Sequence, residues 1–210
     1  RQRRAKARRP RRALERRDLD LLIVDQSAGV SPTTVSSEKM RRHFLSTDDF
    51  VCVADRGHPD LKRGLTRELY MRLPHCVTRF AGESQSLVER TWNKLGGQLR
   101  VGAIAPGFVV TLFTLSHTGL IGTVPRKLAV LHAESLGLRI HRCPIKMESI
   151  DEYLFWHPMN DGDPAHAYLR SLFQTAATSK TAKARSIINS SKERRTRLPP
   201  HSVGAMGRRT

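Results

Sequence analysis

The stretch "LRVGAIAPGFVVTLFTLSHTGLIGTVPRKLAVLHAESLGLRIHRC", residues 99–143, alternates short apolar runs with longer segments of helical period. "LRVGAIA" (99–105), "LIGTV" (120–124) and "LRIHRC" (138–143) have the length and β-branched content of buried strands. Between them, "PGFVVTLFTLSHTG" and "PRKLAVLHAESLG" each open on a proline and close on a glycine. Proline suits a first helical turn, where no N–H is needed, and glycine suits the residue after a helix. Phe108, Leu112 and Leu115 fall on one face of the first of these helices. Upstream, "HCVTRF" (75–80) is a further strand and "SLVERTWNKLGG" a further helix. Ser86 and Glu89 there have capping-box spacing, Leu87, Thr91 and Leu95 share a face, and Gly96 is the stop. Four strands separated by helices of about eleven residues require right-handed crossovers, hence a parallel sheet.

Outward from this segment the chain belongs to a second unit. "LDLLIV" (19–24) is an apolar strand after a helical remnant, "RRALERRD". "HFLSTDDFVCVAD" (43–55) reads as one extended stretch, "LTRELYMRLP" as a short helix capped by Thr66, and "IDEYLFW" (150–156) as extended again. The predicted organisation is a basic arm with a helical remnant over 1–17, a partial first subdomain over 18–74 plus 147–175, a second subdomain over 75–146, and a disordered basic tail over 176–210. Two passages between two α/β units describe a hinged cleft, with ligands expected at the carboxyl ends of the strands.

The net charge of +18 is concentrated at the ends. Residues 1–17 hold ten basic side chains and one acidic, residues 178–210 nine and one, and the rest 18 basic against 17 acidic. Arms of this kind bind phosphates without sequence preference or remain solvated, and neither carries aromatic residues for base stacking. No apolar run approaches the roughly 20 residues of a membrane span, and no signal-peptide pattern is present. Cys52, Cys76 and Cys143 are scattered and odd in number, which fits a reducing cytoplasm better than a disulfide framework. The chain starts at Arg1 rather than Met and reads as a fragment or a processed product.

Four polar residues, His157, Asp161, Asp163 and His166, lie within ten positions and raise the question of a metal or acid–base site. Asp163-Pro164 is a helix-capping pair, Asp161-Gly162 a turn, and Ala165, Leu169, Leu172 and Phe173 form an apolar stripe. The cluster therefore predicts a strand, a capped turn and a docking helix, with no metal. "GESQS" (82–86) lacks the final glycine of a nucleophile elbow, His75 and Cys76 point to opposite faces, and the glycines of "KLGGQLRVG" end a helix rather than open one. No enzyme constellation and no cofactor motif is present.

Taken in order, "LDLLIV", "FVCVADRGHP", "LTRELYMRLPH", "IGTVPRKLA" and "YLFWHPMNDGDPAHAYLRSLF" resemble LysR-type transcriptional regulators over about residues 13–175. The likeness is to the branch of nodulation-protein-D-type and salicylate- or nitrotoluene-responsive activators. It implies an effector-binding domain of two Rossmann-like subdomains with two crossovers, like periplasmic binding proteins, the first subdomain incomplete. It also implies a small aromatic inducer held between the subdomains by Ser84, Gln85, Pro106, Gly107, Phe108 and the turn around Thr123. Read from the residues alone, Phe108 is equally a core residue and Ser84 a helix cap. The family's N-terminal helix-turn-helix, its linker helix and its opening β-α-β have no counterpart in the sequence. The expectation is a truncated cytoplasmic regulator, an oligomer that contacts DNA through the missing region or non-specifically through the arms. The alternatives are a solute-binding module and a non-specific nucleic-acid binder.

Overall fold

A computed structural model describes residues 13–27, 40–80 and 84–178. The predicted disorder and nucleic-acid contacts of the arms fall almost wholly on residues 1–12 and 179–210, outside the described residues. In chain order the elements are β1 (Leu21–Ser27), β2 (Arg41–Asp48), β3 (Phe50–Asp55), α1 (Arg67–Arg72), β4 (His75–Thr78), α2 (Leu87–Lys94), β5 (Val101–Ala105), α3 (Phe108–Leu115), β6 (Ile121–Pro125), α4 (Arg126–His132), β7 (Leu138–His141), β8 (Ile150–Trp156) and α5 (residues 164–178). Among the described residues no helix is long and apolar enough to cross a membrane.

The strands form two sheets, one ordered β1-β8-β2 and the other β5-β4-β6-β3-β7. β4 pairs in parallel with β5 and with β6, as the alternation of runs and helices predicts. β3 is antiparallel to both β6 and β7, so the four predicted strands share one direction but are not contiguous. The expectation that β3 belongs to the first unit is thereby corrected. "HFLSTDDFVCVAD" is two strands in two sheets, broken at Asp49, and the chain passes between units there rather than near residue 75. It returns through residues 142–149.

The break has a visible cause. The Asp48 carboxylate accepts from Asp49 N at 2.9 Å and from Lys127 N at 3.1 Å, and Asp49 O accepts from Arg126 N at 2.7 Å. α4 begins at Pro125, which supplies no side-chain cap, so the crossover residues satisfy the helix's first N–H groups from a distance in sequence. Burial raises the Asp48 pKa above its usual value, while the Lys127 N–H and charge pull it partly back.

β3 is buried on both faces and divides the core. Val51 and Val53 pack with Leu112, Leu115, Val124 and Ala129 beneath α3 and α4. Cys52 and Ala54 pack on the opposite side with Tyr70, Val88, Trp92 and Ile121. Gly122 on β6 admits the close approach of α3: a Cβ there would stand 2.9 Å from Leu115 Cδ1 and 3.0 Å from Thr111 Cγ2.

Three local expectations differ from the structure. On α2 the capping box forms, but the buried residues are Val88, Glu89 and Trp92, and Leu95 is 54% exposed. Pro106 precedes α3 by two residues, Gly107 is the N-cap, and the helix ends at Leu115, with Ser116 its C-cap, rather than at Gly119. On α5, Leu169 and Leu172 are exposed while His166 is buried. His166 Nε2 meets Asp20 O at 3.1 Å, and Arg170 Nη1 reaches His166 Nδ1 at 2.6 Å. An arginine only donates, so Nδ1 accepts and Nε2 carries the proton. Arg170 also lies over the Trp156 ring at 4.9 Å, and Trp156 Nε1 donates to Asp161 at 2.7 Å. These contacts turn the polar face of α5 inward. Asp163 caps it as predicted, accepting from Ala165 N at 2.8 Å, and His157 Nδ1 accepts from Met159 N at 3.2 Å. The polar cluster is thus engaged in building the turn.

Candidate functional site

The carboxyl ends of the parallel strands β4 and β5 lie beside the starts of α2 and α3, the place where open α/β sheets hold ligands. Phe108, the first residue of α3, is half-buried and makes T-shaped contacts with two rings, Phe80 at 5.4 Å and Phe50 at 6.1 Å between centroids. Phe80 is 44% exposed and Phe50 buried, so the trio runs from the core to the surface.

No side chain caps α3, and its first turn holds no acidic residue. Gly107 has open space where a Cβ would stand. The first N–H groups of α3 therefore offer an anion-favouring end beside the phenyl rings. Beneath them a hydroxyl chain fixes the backbone: Thr111 Oγ1 lies 3.2 Å from Gly107 O and 2.6 Å from Thr78 Oγ1. The carbonyl only accepts, so Thr111 donates to it and Thr78 donates to Thr111.

The neighbouring α2 start is built differently. Ser86 Oγ accepts from Glu89 N at 3.1 Å, and Glu89 accepts from Ser86 N at 2.7 Å. Glu89 also receives the Arg79 fork, with Nε at 2.9 Å, while Arg79 N bonds Ala105 O at 2.9 Å. This network joins the ends of β4 and β5 to α2. Burial works to raise the Glu89 pKa, but the Arg79 and Ser86 hydrogen bonds outweigh it and hold the carboxyl below its usual value.

Among the predicted residues, Pro106, Gly107 and Phe108 come together at this mouth, and Ser84 and Gln85 are exposed just before the α2 cap. Thr123 is different. It is 4% exposed, its hydroxyl lies 3.1 Å from Tyr70 Oη and 3.6 Å from Cys52 Sγ, and it faces the core. Its side chain thus lies in the core rather than at the mouth, and the expectation concerns the turn around it. The sequence does not single out Phe50, which it places inside one extended stretch, or Phe80, which it places at the end of the strand over 75–80.

No family model matches the chain. The HTH-type transcriptional regulator LinR of Sphingobium indicum is 31% identical over 159 residues, 75% of this chain and 52% of that protein. Nodulation protein D 2 of Rhizobium tropici is 32% identical over 168 residues, 79% of this chain and 50% of that protein. A crystal structure of a transcriptional regulator from Pseudomonas aeruginosa superposes with a TM-score of 0.68 at 25% identity, covering 78% of this chain and 52% of that one. The regulatory domain of MexT, from the same species, shares the fold at a TM-score of 0.61 and 22% identity, covering 79% and 76%. The chain spans about half the length of the curated relatives it matches. Two sheets joined by two crossovers, as in these regulatory domains, define the periplasmic-binding-protein-like effector-binding class. The chain belongs to the LysR-type transcriptional regulators and corresponds to their effector-binding domain. Its relatives are named as regulators, not enzymes.

Proposed function

We propose that this chain senses a small aromatic inducer at the mouth framed by Phe80, Phe108 and Phe50. The observation that carries the reading is Phe108, in T-shaped contact with two rings at a helix start that no side chain caps. An aromatic carboxylate or phenolate would place its ring against Phe108 and its charge at the α3 N–H groups, with Ser84, Gln85, Pro106 and Gly107 at the rim. Occupancy would act on transcription, in an oligomer in the cytoplasm, through a DNA-binding region of the kind its HTH-type relatives are named for.

Titration calorimetry with salicylate tests the site. Phe108→Ala should weaken binding about tenfold or more while circular dichroism stays unchanged. Equal affinity in the variant, or no binding by any of a panel of benzoates and phenolates, would refute the assignment.

A further inference from the structure

Two cysteines have no part in the aromatic mouth. Cys52 lies on β3 and is buried, while Cys143 lies two residues beyond the end of β7 and is half-buried. β3 runs antiparallel to β7 with Cys52 opposite His141, so Cys143 follows on the same face of the sheet. Both side chains pack in one cluster with Tyr70, Trp92 and Ile145. Their thiols are hydrogen-bonded to each other. Cys143 also lines a cavity of about 700 Å³, through which a small solute reaches its sulfur, and Cys52 stands behind it at 1% exposure.

The pair is asymmetric. The bond from Cys52 lowers the Cys143 pKa below the usual thiol value, burial opposes that, and the Ile145 N–H adds to it. Burial pushes the Cys52 thiol well up, and Cys143 beside it pushes the same way. Cys143 is therefore the thiolate and Cys52 the donor between them. With the single Cys52 proton so committed, the Thr123 hydroxyl donates to Cys52 Sγ at 3.6 Å, and the Tyr70 hydroxyl donates to Thr123 at 3.1 Å. A buried row of donors thus runs from the core toward Cys143. It leaves the Cys52 sulfur a donor even after its own proton has gone.

We propose that Cys143 and Cys52 are a reversible dithiol–disulfide pair that responds to hydroperoxides, Cys143 taking the oxygen and Cys52 closing the bond. The Cys143 thiolate attacks the terminal oxygen of the hydroperoxide and the O–O bond breaks. Sulfur becomes a sulfenic acid, and the alkoxide leaves as the alcohol with the proton Cys143 gave up on ionising. Cys52 sulfur then attacks the sulfenic sulfur, the S–O bond breaks, and the Cys52 proton leaves with hydroxide as water. One hydroperoxide is reduced to one alcohol and one water, and two thiols are oxidised. A disulfide requires Cα atoms within about 7 Å of each other, and Cys143, outside the β3–β7 ladder, can adjust to meet that requirement. Once closed, the bond ties residues 142–149, the return passage between the sheets, to β3.

The test treats the reduced full chain, as an equal mixture of isotopically light and heavy protein, with cumene hydroperoxide. Peptides are read by mass spectrometry without reduction. A Cys52–Cys143 peptide pair of unmixed isotope should form and disappear with dithiothreitol. Cys76, buried in the cluster on the other side of β3, should stay reduced. In Cys52→Ser the reaction should stop at the Cys143 sulfenic acid, trapped by dimedone. In Cys143→Ser thiol loss should slow about tenfold or more, because the accessible thiolate is the nucleophile. Amide exchange over residues 144–149 should slow by about tenfold on oxidation and recover on reduction. Should Cys52→Ser misfold by circular dichroism, Cys143→Ser and the unaltered chain decide alone. A sulfenic acid that accumulates on Cys143 of the unaltered chain without the crosslink overturns the proposal. So does a crosslink only of mixed isotope, one that contains Cys76, an unchanged rate in Cys143→Ser, or unchanged exchange on oxidation.

Discussion

Gly122 is where one atom decides the packing of a helix. A methyl group there would meet Leu115 Cδ1 and Thr111 Cγ2 at 2.9 and 3.0 Å. The leucine terminus can rotate away, but Thr111 is held by Thr78 and the Gly107 carbonyl. Gly122→Ala should therefore destabilise the protein by about 1–3 kcal/mol, the usual penalty of overpacking. An unchanged urea midpoint would show that α3 yields freely. Glu89 makes a second residue-scale prediction. Its carboxyl is depressed in the folded state, so its contribution is present above the unfolded carboxylate pKa and lost as pH falls through the depressed folded value. The stability advantage over Glu89→Gln should shrink on acidification below about pH 4.5, the ordinary glutamate range. An advantage independent of pH would mean that the Arg79 fork contributes nothing to folding.

Whole elements were more legible in the sequence than their faces. Strands β4 to β7 and the intervening helices followed from apolar runs punctuated by Pro, Gly and the Ser86–Glu89 box. The exposed stripe of α5 was unreadable because a buried histidine held by an arginine presents a polar face to the sheet, which periodicity assigns to solvent. The split at Asp49 was hidden for another reason: strand-like residues continue through it, and only the distant start of α4 shows why the chain turns. The Phe108 mouth was half visible, since helix-start grammar marks Gly107 and Phe108 but not the rings that converge on them. The α4 cap gives the element-scale prediction. Asp48 has a raised pKa, so its ionised form is disfavoured in the fold, and stability relative to Asp48→Asn should decline as pH rises from the ordinary aspartate value through the folded one. The amide still accepts from Lys127 N. A relative stability that instead rises with pH would show the helix dipole outweighing burial.

On the scale of the molecule the two sheets are unequal. The five-stranded sheet has β3 and β6 buried along most of their length, and apolar clusters on both faces. The three-stranded sheet has a mostly exposed β2, with Ile23 and Phe44 47% and 48% exposed. Amide exchange should consequently be slowest in β3 and β6 and faster by about a hundredfold or more in β1 and β2, corresponding to roughly 2.7 kcal/mol between global and local opening. Equal protection in both sheets would show one cooperative unit.

A single residue, Asp49, separates β2 from β3, whereas residues 142–149 separate β7 from β8. One connection is a single-residue pivot and the other a longer strap anchored by Ile145, which is buried in the core. If one sheet swings against the other, the short connection leaves only a pair of backbone torsions to absorb the angle, and hydrogen bonds to Arg126 and Lys127 grip both sides of it. The swing is then geared directly to the first turn of α4. Lengthening the pivot by an inserted glycine should disengage that gear: ligand would still bind, but α4 would no longer report it.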